Sequence, residues 1–166
     1  MSHQHNNNNN HEPPPNGKWL VLIGNPNVGK SVIFGALTGT YATVSNYPGT
    51  SVEISKGTAR FGIKRLGIID SPGVNSLVPM SEDEKVTRDI LLNEDIAAAL
   101  QVMDSKNLRR SLLITLQLLE MGLPMTLALN MYDEAGERGI AIDIDGLSKL
   151  LDLKVPERAE YIRVIT

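Results

Sequence analysis

Short apolar runs alternate with segments of helical periodicity along most of the chain. The runs rich in Val, Ile, Leu and Ala predict β-strands at residues 19–23, 52–61, 64–69, 97–103 and 125–129, with the second and third joined as a hairpin around Gly62. Apolar residues at helical spacing predict helices at residues 30–37, 82–93, 108–121 and 147–151. Strands that alternate with helices are typical of an α/β fold, in which a mostly parallel central sheet carries helices on both faces.

The first sixteen residues differ from the rest. They contain an asparagine run at residues 6–10 and a proline run at residues 13–15, and they have no periodic apolar pattern. Such a segment cannot bury enough apolar surface to offset the entropy of ordering it. We therefore predict that residues 1–16 are a disordered low-complexity tail or a tag remnant, and that residues 17–166 form one domain. The tail histidines are assigned no function.

Composition narrows the possible functions. The chain is 42% hydrophobic and 21% charged, which suits one soluble globular domain with a real core. Its formal net charge of -3, without a clustered basic surface, gives no reason to expect a nucleic-acid partner. The absence of cysteine excludes disulfides, thiolate metal sites and cysteine nucleophiles. No apolar run approaches the ~18 residues that a membrane span needs, and no signal peptide is recognisable, so we expect a soluble chain.

A glycine-rich sequence between the first strand and the first helix predicts a phosphate site. Residues 24–31 match the pattern G-x-x-x-x-G-K-[ST] in its required strand-to-helix setting, which makes an ordinary turn the weaker interpretation. The glycines let backbone N–H groups wrap phosphate at a positive helix end, Lys30 adds a charge, and Ser31 supplies a magnesium ligand. The residues assigned to this site are Gly24, Asn25, Asn27, Val28, Gly29, Lys30 and Ser31.

Asp-Ser-Pro-Gly follows the strand predicted at residues 64–69. Ligand-binding residues of α/β sheets lie at the carboxyl ends of strands, so we expect Asp70 to reach magnesium, through a water molecule. The backbone N–H of Gly73 can approach a terminal phosphate because no side chain blocks it. Taken alone, the sequence would predict a plain turn. Its position after Lys30, in this order along the chain, favours the phosphate site.

A third motif closes the strand predicted at residues 125–129. In Asn130-Met131-Tyr132-Asp133, the carboxylate of Asp133 can accept from both N–H donors on the Watson–Crick edge of guanine, whereas adenine offers an acceptor where one donor is needed. A site that pairs specific donors rejects ligands without them by roughly 10⁴-fold when its polar groups are buried. The motif therefore predicts guanine selectivity and assigns Asn130, Met131 and Asp133 to the nucleotide site. Capping of the next helix by Asn130 and Asp133 is the alternative.

The three motifs in this order resemble those of the small GTPase superfamily. The resemblance implies the P-loop GTPase, Ras-like fold, binding of GTP and GDP with Mg²⁺, and hydrolysis of GTP to GDP and phosphate. It also implies a mobile switch loop, here residues 39–51, in which a hydroxyl contacts magnesium and the terminal phosphate. The register of this loop in the GTPases that the chain resembles favours Ser51 for this contact, with Thr50 as the alternative.

One position departs from the Ras-like pattern. Val74 follows Gly73 where those proteins carry a glutamine that orients the attacking water. Asn27 and the switch loop resemble potassium-stimulated GTPases, which implies that Asn27 is a ligand of K⁺. On this basis Lys30, Gly73 and Asn27 are the expected catalytic residues, and turnover is expected near or below ~10⁻³ per second. A nucleotide-binding switch with little catalysis is the alternative.

Longer stretches resemble the N-terminal G domain of FeoB-type ferrous iron transporters. They are residues 24–39 with 46–53, residues 103–112 running on to 130–135, and residues 139–140 with 142–143 and 147–148. The resemblance implies a G domain on the cytoplasmic face of the prokaryotic inner membrane, joined in its parent protein to a helical regulatory domain and a membrane permease domain. The sequence departs from that family at residues 152–166, where the loop that backs the guanine base is not recognisable, although Tyr161 to Ile165 can form a last strand. A soluble ribosome- or tRNA-associated GTPase is the other alternative.

Overall fold

A mixed six-stranded sheet lies at the centre of the protein. The computed structural model describes residues 17–39, 42–61 and 63–153. The strands are β1 (Trp19–Ile23), β2 (Ala42–Asn46), β3 (Glu53–Phe61), β4 (Lys64–Asp70), β5 (Ile96–Asp104) and β6 (Met125–Asn130). The helices are α1 (Lys30–Thr38), α2 (Glu82–Asn93), α3 (Leu108–Glu120), α4 (Tyr132–Glu137) and α5 (Ile144–Leu151). Among these described residues, no helix is long and apolar enough to cross a membrane.

The strand order places the predicted motifs at one edge of the sheet. The order is β2-β3-β4-β1-β5-β6, with β4, β1, β5 and β6 mutually parallel and the two pairs at the β2 end antiparallel. Leu22 of β1 pairs with Asp70 of β4, and Asp104 of β5 pairs with Asn130 of β6. Because the carboxyl ends of parallel strands meet at the same edge, the residues that follow β1, β4 and β6 converge there.

Strand β1 separates two apolar clusters. Its five residues are all buried, and successive side chains point to opposite faces of the sheet. Val21 and Ile23 pack in the cluster that includes Ile90 of α2 and Ile114 of α3. Leu20 and Leu22 instead pack in the cluster that includes Ile33 and Phe34 of α1. The helices therefore cover both faces, as the sequence predicts.

Most predicted elements are confirmed, some with shifted ends. Strand β1 and helix α2 have the predicted bounds. Strand β5 is one residue longer than predicted at each end, and the other predicted strands and helices α1 and α3 differ by one residue at one end. Helix α5 begins at Ile144, earlier than predicted, because the side chain of Asp143 accepts from the N–H of Gly146 at 2.8 Å. The predicted tail at residues 1–16, the hairpin turn at Gly62 and the last strand at residues 161–165 lie outside the described residues.

The prediction of a loop throughout residues 39–51 is wrong in one part. Strand β2 lies within it and pairs in antiparallel register with β3, from Ala42 opposite Gly57 to Asn46 opposite Glu53. Four of its five residues are exposed and the fifth is half-buried, so no apolar alternation marks it as a strand. Its stability comes from backbone pairing at the sheet edge, which a hydrophobic pattern does not reveal.

Helix α2 begins with a reciprocal cap. The hydroxyl of Ser81 accepts from the N–H of Glu84 at 3.2 Å, and the carboxylate of Glu84 accepts from the N–H groups of Met80 at 2.9 Å and Ser81 at 3.2 Å. This capping box satisfies backbone donors that the first helical turn leaves unpaired. The hydrogen bond from Met80, followed by those from Ser81, lowers the pKa of Glu84 below its ordinary value.

We predict that Glu84→Ala destabilises the protein more than Asp83→Ala at neutral pH. Both changes remove a first-turn carboxylate, but only Glu84 accepts the capping hydrogen bonds. Because the folded-state pKa of Glu84 lies below its unfolded value, its contribution is present above that unfolded value and is lost as pH falls through the folded one. Urea unfolding of both variants from neutral to acidic pH measures the difference. A gap that widens on acidification would contradict the assigned role.

Candidate functional site

The loop between β1 and α1 curls around a concave backbone surface. Asn27 has a φ of 64° and Gly29 a φ of 89°, both in the left-handed region. Left-handed residues among right-handed ones turn successive N–H groups to one side, where they form a nest for an anion. Gly29 also caps the N-terminus of α1 without any side-chain hydrogen bond, so the positive end of the helix faces the loop. This backbone has the geometry expected of a phosphate-binding loop.

Two glycines are required by close approach. A Cβ atom on Gly24 would lie 2.3 Å from the carbonyl oxygen of Val102, and one on Gly29 would lie 2.3 Å from Nδ2 of Asn130. Neither position can hold a side chain without moving a neighbour. The loop therefore packs directly against the ends of β5 and β6.

Lys30, Ser31 and Asp70 meet at the start of α1 and the end of β4. The hydroxyl of Ser31 donates to Oδ2 of Asp70 at 2.8 Å. Lys30 and Asp70 are both buried. Burial lowers the pKa of Lys30, which Asp70 partly offsets, and burial raises the pKa of Asp70, which Ser31 and Lys30 partly offset. Both charges have thus lost hydration that their mutual attraction does not fully replace.

This donor set fits a divalent cation beside an anionic phosphate. Oδ1 of Asp70 is buried and has no hydrogen-bond partner among the described residues, and the hydroxyl of Ser31 lies beside the same carboxylate. Magnesium prefers oxygen ligands of this kind, usually with several waters and substrate phosphates completing the shell. In the described parts of the chain, no group of three or more His, Cys, Asp or Glu side chains is placed to hold a metal ion.

The segment after Asp70 is held against the phosphate loop. A Cβ atom on Gly73 would lie 2.8 Å from Cα of Pro26, so only glycine allows this approach. The N–H of Val74 donates to the carbonyl of Gly24 at 3.1 Å, and the Val74 side chain is buried. In this arrangement the apolar side chain of Val74 cannot form a hydrogen bond to a water molecule, as expected from the sequence.

The predicted base motif is joined to the phosphate loop. Nδ2 of Asn130 donates to the carbonyl of Val28 at 2.9 Å. Met131, with a φ of 57°, caps α4 without a side-chain hydrogen bond, so the alternative that Asn130 caps this helix is wrong. Asp133 is exposed in the first turn of α4, where its carboxylate is free of a helix-capping role.

Sequence reasoning missed a lysine at this edge. Nζ of Lys106 lies 2.5 Å from Oε2 of Glu134 and 3.3 Å from Sδ of Met131. It thereby links the loop after β5 to the start of α4. No sequence signal identified this contact, since the two residues that form the ion pair are far apart along the chain.

Asn25 lies in the phosphate loop, but its side chain faces the protein. It is buried and bonds to the carbonyl of Val74 at 3.2 Å, to Asn75 and to Ser111. Any contact of Asn25 with the nucleotide would therefore come from its backbone. That contact stays a prediction.

The two switch hydroxyls lie in a turn between β2 and β3. The hydroxyl of Thr50 donates to the carbonyl of Tyr47 at 2.9 Å and accepts from the N–H of Val52 at 3.2 Å. The exposed hydroxyl of Ser51 donates to Glu82 at 3.3 Å. Within the described residues neither hydroxyl bonds to Ser31 or Asp70, so the switch contact stays a prediction for both.

Comparison with known protein sequences identifies one family. The sequence profile of the family described as ferrous iron transport protein B matches residues 18–160. The Fe(2+) transporter FeoB of Staphylococcus aureus is 42% identical over 130 residues, which are 78% of this chain and 19% of that protein. This chain therefore spans about a fifth of the length of that curated relative.

Solved structures that resemble this chain include members of the same family. The G domain of the T. maritima FeoB iron transporter is 40% identical, with a TM-score of 0.77 over 83% of this chain and 84% of that chain. A mutant of S. thermophilus NFeoB bound to GDP is 42% identical, with a TM-score of 0.77 over 83% of this chain and 54% of that chain. The fold of residues 17–153 is thus the P-loop GTPase fold.

We predict opposite effects of Ala at two glycines of the same region. Gly29→Ala should lower the free energy of unfolding by about 2 kcal/mol or more, because it forces a left-handed Ala against Asn130. Gly35→Ala, in the interior of α1 with no atom within 4 Å of the new Cβ, should raise it by about 0.5–1 kcal/mol. Urea denaturation of both variants tests this. Equal effects would mean that the Gly29 backbone is not constrained as described.

Proposed function

The chain belongs to the ferrous iron transport protein B family, and we propose that it is the GTP-hydrolysing regulatory domain of a ferrous iron transporter. Membership makes it a guanine-nucleotide-binding GTPase, as in the relative solved with GDP. The observation that carries the proposal is the hydrogen bond between Ser31 and Asp70, whose second carboxylate oxygen is buried without a partner. It joins the phosphate loop to the carboxylate that the family motif requires. We place the domain at residues 17–166.

Each proposed phosphate-site residue has a distinct role. The backbone N–H groups of the loop at residues 24–29, where Pro26 has none to offer, and the ammonium of Lys30 hold the phosphates, which replace the hydration that burial removes from that lysine. Ser31 and Asp70 would hold Mg²⁺, which neutralises charge on the phosphates when bound. The N–H of Gly73 contacts the terminal phosphate, because the absent side chain allows close approach. Together these groups orient the phosphates and stabilise charge that develops on them.

The proposed base site uses the carboxyl end of β6. Asp133 accepts from the two N–H donors of guanine, and Asn130 holds the motif against the phosphate loop through Val28. Met131 lies between them in a left-handed conformation that starts α4. The ion pair of Lys106 with Glu134 supports the same helical turn.

The proposed reaction is slow and stimulated by potassium. Val74 is buried and lacks the carboxamide that orients water in Ras-like proteins. We propose that the side chain of Asn27, which is exposed at the loop, is a ligand of K⁺, and that Ser51 or Thr50 joins the site when the triphosphate is bound. The hydroxyls must then leave Glu82 or Tyr47, their present partners.

The parent protein supplies the proposed biological setting. The curated relative is an Fe(2+) transporter, of which this chain covers 19%. We propose that the domain lies on the cytoplasmic face of a prokaryotic inner membrane. Its partners there would be a helical regulatory domain and a membrane permease domain of the same protein.

A second candidate function is a nucleotide-binding switch with little catalysis. It is favoured by Val74, whose side chain is 1% exposed and whose N–H is occupied by Gly24. Binding alone would satisfy every phosphate contact described above. Hydrolysis assays decide between the two candidates.

We predict single-turnover GTP hydrolysis near or below ~10⁻³ per second, faster in KCl than in NaCl. Asn27→Gly, which removes the side chain and tolerates the left-handed backbone, should remove the difference between the two salts while GDP affinity is kept, because the Lys30 and Asp133 contacts are unchanged. The exposed Asn93→Ala, at the end of α2, is the matched control and should retain the potassium response. Hydrolysis no faster than uncatalysed GTP in either salt would favour the binding switch.

We predict that Asp133→Asn changes base selectivity. An amide replaces one acceptor oxygen by a donor, which mismatches guanine and suits the extra carbonyl of xanthine. Competition between GDP and xanthosine diphosphate for a fluorescent nucleotide measures the preference. Asp145→Asn, in the first turn of α5, is the matched control and should keep guanine selectivity. Unaltered selectivity of the Asp133 variant would remove that residue from the base site.

A further inference from the structure

A polar network joins the phosphate loop, the segment after Gly73 and helix α3. At its centre the side chain of Asn25 is 1% exposed. Its Nδ2 donates to the carbonyl of Val74 at 3.2 Å and to Oδ1 of Asn75 at 3.1 Å. Its Oδ1 accepts from the hydroxyl of Ser111 at 2.6 Å. One buried amide thus contacts both the segment after Gly73 and α3.

Arg110 of α3 reaches the same segment from the outside. Its Nε and Nη2 donate to Oδ1 of Asn75 at 3.2 Å and 3.0 Å. Further along α3, Oε1 of Gln117 accepts from the N–H of Leu77 at 2.8 Å. The helix therefore contacts the segment after Gly73 at two places.

The network fixes Val74 at both of its backbone groups. Its N–H donates to Gly24 and its carbonyl accepts from Asn25. Because Val74 directly follows Gly73, these two bonds also limit where the N–H of Gly73 can lie. A backbone donor placed in this way before reaction needs no reorganisation when charge develops on the terminal phosphate.

Helix α3 is a firm support for this segment. Ile114 and Leu118 are fully buried in the core. Nε2 of the buried Gln101 on β5 donates to the carbonyl of Ser111 at 2.9 Å. The helix is thus anchored to the sheet at the turn that carries Arg110 and Ser111. Movement of the segment after Gly73 relative to α3 must break the contacts of Arg110 before it disturbs the helix.

We propose that Arg110 is a positioning residue for GTP hydrolysis, acting through Asn75 to hold the segment that carries Gly73 against the phosphate loop. This inference rests on the proposed function, since it concerns the contact of Gly73 with the terminal phosphate. GDP lacks the γ-phosphate, which is the terminal phosphate of GTP, so the affinity for GDP does not depend on Arg110. The rate of hydrolysis does depend on Arg110, because the N–H of a displaced Gly73 no longer contacts the terminal phosphate of GTP.

The test compares two adjacent arginines of α3 in the whole chain. Arg109 and Arg110 are both exposed, and only Arg110 contacts the segment after Gly73. We expect Arg110→Ala to lower the single-turnover rate about fivefold to tenfold, the scale of one ordinary hydrogen bond, because Arg110 is exposed to solvent. Arg109→Ala should hydrolyse GTP like the parent, and GDP affinity should be equal in all three proteins.

Two changes at Asn75 separate positioning from general destabilisation. Asn75→Asp keeps the oxygen that accepts from Arg110 and should retain most of the rate, whereas Asn75→Ala should lose it. If Arg110 acts through Asn75, the double variant Arg110→Ala, Asn75→Ala should be no slower than Asn75→Ala alone. Additive losses would overturn the proposal.

The outcomes distinguish this inference from the proposed function. If the parent protein binds GTP without hydrolysing it, the proposed GTPase activity itself fails. If the parent hydrolyses GTP and the Arg110→Ala rate equals or exceeds that of Arg109→Ala, only the positioning role is overturned. A loss of GDP affinity that parallels the loss of rate would also overturn it, because it would indicate damage to the whole site.

Discussion

The buried pair of Lys30 and Asp70 is the constraint from which the rest of the site follows. Lys30 is the first residue of α1 and Asp70 is the last residue of β4, and Ser31 in the first turn of α1 binds the aspartate directly. Burial shifts both pKa values toward the neutral forms, so both charges are poorly hydrated. The polyanion and divalent cation proposed for this site would supply the interactions that each charge lacks. Binding of such a ligand would therefore stabilise the folded protein.

The parallel part of the sheet makes this arrangement possible. Strands β4, β1, β5 and β6 end at one edge, and the loops from three of them meet there. Two glycines let the loops approach to distances that a Cβ atom would prevent. Side-chain bonds then join them, as in the contact of Asn130 with Val28. The proposed phosphate site and the proposed base site thus lie on one sheet, with helices on both faces.

Local patterns predicted the frame well because its strands are buried and its motifs are contiguous. The apolar run of β1 and the helical periodicity of α2 predict where each element begins and ends. The phosphate-loop residues from Gly24 to Ser31 are consecutive, so one short motif identifies them. Strand β2 was missed because an exposed edge strand has no apolar alternation. The contacts of Lys106 with Glu134 and of Arg110 with Asn75 were also missed. Each of these contacts joins two residues that are distant along the chain, and a single sequence does not show which distant residues are close in space.

If residues 39–51 act as the proposed switch, the β2–β3 hairpin limits how much of the chain must become ordered around a terminal phosphate. Asn46 pairs with Glu53, and the N–H of Tyr47 donates to the carbonyl of Val52 at 2.8 Å, so the turn that holds Thr50 is closed at its base. Fixing a backbone residue costs about 1–2 kcal/mol in conformational entropy. A short flap closed in this way incurs that cost over few residues. The proposed closure would then resemble a hinge movement of a preformed turn more than the folding of a long disordered segment.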